Sequence, residues 1–404
     1  MNRYPNDWNI IYFGDVILSA RNGYGKRPQG TEDGPIVLRL ADVANGYIDL
    51  SAPRRVAMDA NEFSNYRLHK GNLLFIRVNG SRDMVARCIW VSQDYSDVSF
   101  NDHLIRVELS PSVHDKYLFY LFKDEYIRSR LLSFIPTAPG GQLTINQHAL
   151  SNILIPLPPL DEQRKIAQIL STWDEAIALV DALIAALTER KKGLMQRLLT
   201  GEVRFPGFDD EWEEVRFGEV LEKAYRTIDV NPDEMYRQIG IRSHGKGIFH
   251  KEPVTGEEIG NKRIYWVEPG DFTFNIVFAW EGAVALVSEA EKGMCASHRF
   301  PMFVAEKDHC DPRFILRYFQ TSRGIWDLGL ASPGGAGRNR TLNQSDFLNL
   351  RLKLPLVKEQ KLVADTIDTW EDAINEANSL RFALAEQKKG LMQRLLTGEV
   401  RVQV

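Results

Sequence analysis

Several residue groups in this 404-residue chain have types and spacings that could do chemistry. The string Gly240-Ile241-Arg242-Ser243-His244-Gly245-Lys246-Gly247 carries the glycines and lysine of a phosphate-cradling loop. The position after that lysine must offer a hydroxyl to magnesium, and it is Gly247, so the string reads as an ordinary loop. Glu189–Lys191 and Glu386–Lys388 are Glu-x-Lys triplets, as in some nucleases. Both lie on a helical pattern, in duplicate, without a partner acid, and read as helix surface. His103 and His298 occupy similar places in the two halves and read as base-contacting or structural residues rather than ligands. Cys88, Cys295 and Cys310 form no CxxC pair and no even disulfide framework, which fits a reduced, cytoplasmic setting and argues against structural zinc. No Asn-Pro-Pro-aromatic or Asp-Pro-Pro-Tyr string of an amino-methyltransferase is present. Nothing here supports catalysis by the chain itself, and no metal or cofactor site is expected in it.

A different chemistry is open, namely hydrogen bonding to DNA base edges. Arg, Lys, Asn and Gln on exposed loops suit it because they form two-pronged bonds. The candidates are Lys26 and Arg27 after a glycine-tyrosine-glycine turn, and Arg77, Asn79, Ser81 and Arg82 directly after a strand-like run. Gln142 and Thr144 lie in the glycine-rich loop Pro139–Thr144, and Arg338, Asn339 and Arg340 in the aligned loop Gly334–Thr341. The second half adds Arg242, His244 and Lys246, then His298 and Arg299. For each, a solvated loop charge is the plain alternative.

These residues need domains to hold them. Hydrophobic residues make up 44% and charged residues 26%, as in a globular chain. No apolar run reaches the roughly 18 residues of a membrane span. The stretch Met1–Ile11 lacks the basic-then-apolar order of a signal peptide. Net charge is −4. Residues 1–155 carry 17 basic and 16 acidic groups, and residues 205–351 carry 18 and 23. Phosphate affinity must therefore come from local clusters or from a partner.

The strongest signal is a repeat. Lys191 to Arg204 recurs letter for letter as Lys388 to Arg401, an offset of 197 residues. Glu162-Gln163, Trp173, Ile177 and Pro158 recur at the same offset as Glu359-Gln360, Trp370, Ile374 and Pro355. More weakly, Thr144, Asn146 and Gln147 map onto Thr341, Asn343 and Gln344, while Trp8 and Phe13-Gly14 resemble Trp212 and Phe217-Gly218. The chain is two copies of one unit, each a globular domain followed by a helix. In the first helix Trp173, Ile177, Val180, Ile184 and Leu187 continue a 4-3 apolar spacing interrupted at Lys191. In the second, Trp370, Ile374 and Leu384 do the same, interrupted at Arg381 and Lys388. Prolines precede each helix and Thr-Gly ends each. Each helix predicts a rod of roughly 60 Å, and the two seams predict an antiparallel pair. The expected domains are 1–155, a helix in 156–204, 205–351 and a helix in 352–404. The globular parts read as mixed α+β, with strands at Ile36–Leu38, Leu73–Val78, Val85–Val91, Tyr236–Ile241, Phe272–Asn275 and Ala283–Val287. A helix is expected from Tyr117 through Leu131, and another from Phe314 to Phe319.

The order domain–helix–domain–helix resembles the specificity subunit of Type I restriction-modification systems. The Pro-Leu-Pro-Pro-Leu-Asp-Glu-Gln string (156–163), the Lys-Lys-Gly-Leu-Met-Gln-Arg-Leu-Leu-Thr-Gly strings (191–201, 388–398) and Gly-Arg-Asn-Arg-Thr-Leu-Asn-Gln (337–344) carry that resemblance, which covers essentially the whole chain. It implies two target-recognition domains, each reading one half of a split site in double-stranded DNA. It also implies a helical spacer that docks two methyltransferase subunits, with restriction and translocase subunits joining them. S-adenosylmethionine, ATP and magnesium would sit on those partners, with no membrane involved. A coiled-coil scaffold with two protein-binding domains and no DNA is the rival reading.

Overall fold

The structure, a computed structural model, describes residues 3–26, 33–135, 142–334 and 340–403. It groups into two compact units, Met1–Asp181 with Ser379–Val404, and Ala182–Asn378. This grouping cuts across the four consecutive segments read from the sequence, because the last part of each long helix groups with the domain of the other copy.

The two units share one plan. The first holds a four-stranded antiparallel sheet in the order Ile17–Asn22, Leu104–Leu109, Leu73–Ile76, Cys88–Trp90. The second holds Leu221–Ala224, Met302–Ala305, Phe272–Phe274, Val284–Leu286 in the matching order. Their central strands are aromatic and β-branched and buried along their length, as a strand covered on both faces requires. A two-stranded ribbon closes each unit: Asn9–Tyr12 on Leu154–Leu157, and Glu213–Arg216 on Arg351–Leu354.

Several expected elements are shorter or divided relative to their sequence pattern: Tyr236–Ile241 is two short strands, Met235–Tyr236 and Ile239–Ile241, and Leu73–Val78 breaks at Arg77. Of the run Val85–Val91 only Cys88–Trp90 is strand, because Ala86 takes a left-handed φ of 64°. The helix expected from Tyr117 through Leu131 is two helices, Asp115–Lys123 and Glu125–Ser133. Asp124 breaks it: its backbone is extended, and its carboxylate accepts from the Tyr126 and Ile127 amides, capping the second helix. The second unit repeats this break as Pro312–Phe319 and Ser322–Leu330, capped by Thr321.

Each core wraps its helix pair around the sheet. Phe13, Phe75 and Phe122 meet in the first unit, with ring centroids 4.7 and 4.9 Å apart at Phe122. In the second, Phe347 lies against Phe217, Phe274, Phe303 and Phe319 and is fully buried.

The long helices run Leu160–Leu198 and Val357–Thr397. Gly201 and Gly398 end them with the same left-handed φ of 72°, which a glycine adopts without steric cost. Within the first unit the pair is antiparallel: Asp174 meets Lys388, and Asp181 further along meets Arg381. Within the second unit Lys191 pairs with Glu371 at 3.0 Å, and Arg204 beyond the helix end reaches back to Glu359 at 2.7 Å. The basic residues that interrupt the apolar seam thus have carboxylate partners on the facing helix. The seam is incompletely dry: Val180 and Ala377 are buried, while Trp173, Ile177, Ile184, Leu187, Trp370, Ile374 and Leu384 are half-buried.

The repeated Glu-Gln at each helix start has a structural job. The Gln163 side chain accepts from the His114 amide and donates to the Pro158 carbonyl. Gln360 does the same with Asp311 and Pro355. Glu162 accepts from Trp8 and Arg401, and Glu359 takes both prongs of Arg204.

Candidate nucleic-acid interface

In each unit one residue just past a central strand ties three loops together. In the first it is Arg77: its amide donates to the His103 carbonyl at 2.7 Å, and its carbonyl accepts from the Ile145 amide at 2.9 Å. In the second it is Ile276, bonded the same way to Arg299 at 3.0 Å and Leu342 at 2.7 Å. Two backbone bonds thus gather polar loops that lie far apart in sequence. The counterpart of His103 by this geometry is Arg299, one place on from the histidine that the sequence paired with it.

In the first unit the tie collects most of the expected residues. Val78–Asn79 pairs with Leu143–Thr144, which puts Asn79, Thr144 and exposed Gln142 on one loop pair. Asn79 accepts from the Ser81 amide and shapes the turn that exposes Ser81 and Arg82. The Arg77 guanidinium is spent on the Asp102 carbonyl at 2.8 Å. The loop at Lys26 lies beside this group, because Gly23 passes so close to Asn101 that a Cβ would sit 2.0 Å from its carbonyl oxygen. Lys26 pairs with Glu62, which raises the pKa of its ammonium. A cavity of about 370 Å³ opens between Tyr24, Lys26, Arg39, Arg54, Asn101 and His103. Sequence reasoning missed Arg39, Arg54 and Asn101. They lie on separate stretches with no shared local signal.

In the second unit Arg242, His244 and Lys246 lie on the tight loop between strands Ile239–Ile241 and Ile248–His250, as exposed side chains. His244 holds a φ of 61°, rare for a residue with a side chain, and its amide donates to the Glu281 carbonyl. Arg242 lies over Phe249 and donates to the Ile248 carbonyl. Arg340 is exposed, its guanidinium 5.4 Å from the centre of the Trp280 ring on the same turn that carries Glu281. His298 and Arg299 are exposed beside the tie. Arg27, Arg338 and Asn339 lie outside the described residues, as do most of the two glycine-rich loops.

The surroundings offer little to a nucleophile or metal. Burial raises all three thiols, Cys295 to about 11 and Cys310 to about 12. Among the described residues no group of three or more His, Cys, Asp or Glu could hold a metal ion. No helix among them is long and apolar enough to cross a membrane.

Two like units, each with a loop cluster of different side chains, match a known sequence pattern twice. The Type I restriction modification DNA specificity domain covers residues 5–189 and again 209–381. The chain belongs to that family. A relative in the family is the type I restriction enzyme MjaVIII specificity subunit of Methanocaldococcus jannaschii, 23% identical over 433 residues, covering 99% of this chain and 94% of that one. The StySPI specificity subunit of Salmonella potsdam is 30% identical over 202 residues, 48% of this chain and 43% of that one. Among solved structures, the S subunit of a Type I restriction-modification system from M. genitalium superposes with a TM-score of 0.59 at 12% identity, covering 98% and 97% of the two chains. It shares the fold. Membership makes this chain a Type I specificity subunit in architecture: two DNA specificity domains and two long helices.

Proposed function

We propose that this chain selects the DNA on which a Type I restriction-modification complex acts, and leaves the chemistry to partner subunits. Each unit reads one half of a split, asymmetric site, and the paired helices set the number of bases between the halves. The observation that carries this reading is the shared tie at Arg77 and Ile276: one backbone scaffold presents two different sets of side chains, as two unlike half-sites require. Base-edge contacts fall to Asn79, Arg82, Gln142 and Thr144 in the first unit. In the second they fall to His244, Lys246, His298, Arg299 and Arg340.

The helices dock two methyltransferase subunits, which bring S-adenosylmethionine. Translocating endonuclease subunits bring ATP and magnesium. In the first unit Leu179, Leu380 and Phe382 project from the helices at 72%, 50% and 68% exposure, and in the second Leu183 at 49%, which supports a protein partner there. A net charge of −4 fits a chain whose partners supply much of the phosphate clamp.

The test is co-expression with the cognate methyltransferase subunit, followed by long-read mapping of methylated adenines. The expected result is one split motif with unlike halves and a fixed gap. An assembled complex that methylates no motif overturns the reading.

A further inference from the structure

Beside the tie of the second unit lies a cavity of about 240 Å³, walled by Lys223, Tyr225, Tyr265, Ile276, His298 and Gln344. Three features mark it as more than a gap between loops. The side-chain oxygen of Gln344 is buried and has no hydrogen-bond partner among the described residues. The matching residue of the first unit, Gln147, instead donates its amide to the Asn22 side chain at 3.3 Å. Second, the tie residue there is Arg77, whose guanidinium is already bonded to Asp102. Ile276, which lines the cavity, has no polar side-chain group to spend. Third, Tyr225 stands 69% exposed at the cavity, with the Lys223 ammonium 4.7 Å from its ring centre.

We infer that this cavity is a base-reading pocket of the second unit that takes the amino-bearing edge of an adenine in its half of the site. The inference rests on the reading of the chain as a DNA specificity subunit. An unpartnered carboxamide oxygen gains from a ligand that brings a hydrogen-bond donor, and the donors on DNA base edges are N–H groups. In the major groove adenine and cytosine offer an amino donor at the edge, while guanine and thymine offer oxygen acceptors. A carboxamide that accepts from N6 can also donate to N7, and adenine presents both while cytosine lacks the second. Rotation of the Gln344 side chain turns the amide onto a base entering the cavity. Tyr225 and Tyr265 supply flat apolar walls, and Lys223 and His298 supply positive or donating groups for the adjoining backbone.

The experiment uses the assembled complex and duplexes carrying its mapped motif. Each adenine of the second half is replaced in turn by purine, which lacks the 6-amino group. Wild-type complex loses affinity at one such position, by about five- to 150-fold. Gln344→Leu shows a similar loss on the unmodified duplex and no further loss at that position. Tyr225→Ala, which removes an exposed side chain and leaves the fold intact, weakens binding to the same duplex and leaves the first half unaffected. If a split motif is methylated but Gln344→Leu responds to every purine replacement as wild type does, the pocket assignment falls and the specificity reading stands. If no motif is methylated, the specificity reading itself falls. A loss in Gln344→Leu spread equally over both halves overturns the pocket.

Discussion

Where the first unit faces its helix pair with a tyrosine, the second presents an arginine. In the first, Tyr120 donates to Asp174 at 2.6 Å, and Lys388 from the facing helix holds the same carboxylate. In the second, the residues 197 positions on are Arg317 and Glu371, with Lys191 from the facing helix. Arg317 is nearly buried and also bridges to Asp368 at 2.6 Å, where the first unit has Ser171. The lock has the same place and the same lysine, but a neutral hydroxyl serves one carboxylate where a guanidinium serves two. The letter-for-letter conservation of the tails therefore preserves the shared half of each lock, while the half contributed by each domain is free to change.

The largest expected effect breaks the shared plan at its core. Phe347→Ala opens a cavity among five phenylalanines and costs about 3–5 kcal/mol, with increased amide exchange confined to peptides of the second unit. Exchange rising equally in both units would show that their cores are not separate.

The locks come next. Arg317→Ala takes a nearly buried guanidinium from two half-buried carboxylates and costs about 3 kcal/mol, at the low end for a buried pair because Glu371 keeps Lys191, Asp368 keeps Arg313 and both keep some solvent. Tyr120→Phe removes one hydrogen bond from a carboxylate still held by Lys388, at about 1 kcal/mol. Equal costs in urea unfolding would show that the tyrosine-arginine difference carries no energetic weight.

Acid sharpens the same comparison. Burial tends to raise Asp174 and Glu371, but it is outweighed. Hydrogen bonds from Lys388 and Tyr120 lower Asp174, and the charges of Arg317 and Lys191 lower Glu371. A carboxylate depressed in the folded state contributes stability above its ordinary pKa of about 4 and loses it as pH falls through the lower folded value. Urea midpoints are thus expected to hold steady near neutrality and to drop on acidification. Asp174→Asn would remove the first unit's share of that slope and leave the second unit's. A slope unchanged by Asp174→Asn would assign the acid sensitivity elsewhere.

The smallest effect is at the exposed pair Arg381–Asp181, each side chain about half exposed. Arg381→Ala is expected to change stability by under about 1 kcal/mol. A larger loss would mean that the middle of the helix pair is more tightly coupled than its exposure implies.

Much of the architecture was legible because its signals are local. A 3.5-residue apolar spacing, flanking prolines and terminal glycines are read within a few turns of chain, so the long helices were visible from the letters alone. The repeat gave their antiparallel pairing, since duplicated seams need each other. The candidate loops were legible as polar, turn-rich stretches, but their grouping was not. Arg39, Arg54 and Asn101 around Lys26, and Lys223, Tyr225 and Tyr265 around Gln344, come together from distant segments.

The sequence by itself therefore determined two copies, two helices, a mixed α+β plan and a set of donor-rich loops, because periodicity and repetition are written in neighbouring residues. Only the tertiary structure decided that the tail of each copy belongs with the other copy's domain. The bonds responsible, Arg204 to Glu359 and Arg401 to Glu162, span 155 and 239 residues, a separation across which no local pattern carries information. It also decided that the apolar Ile276 lines a cavity beside one tie, while Arg77 at the other spends its guanidinium on the Asp102 carbonyl, because what surrounds a tie depends on the three loops that meet there and not on any one of them.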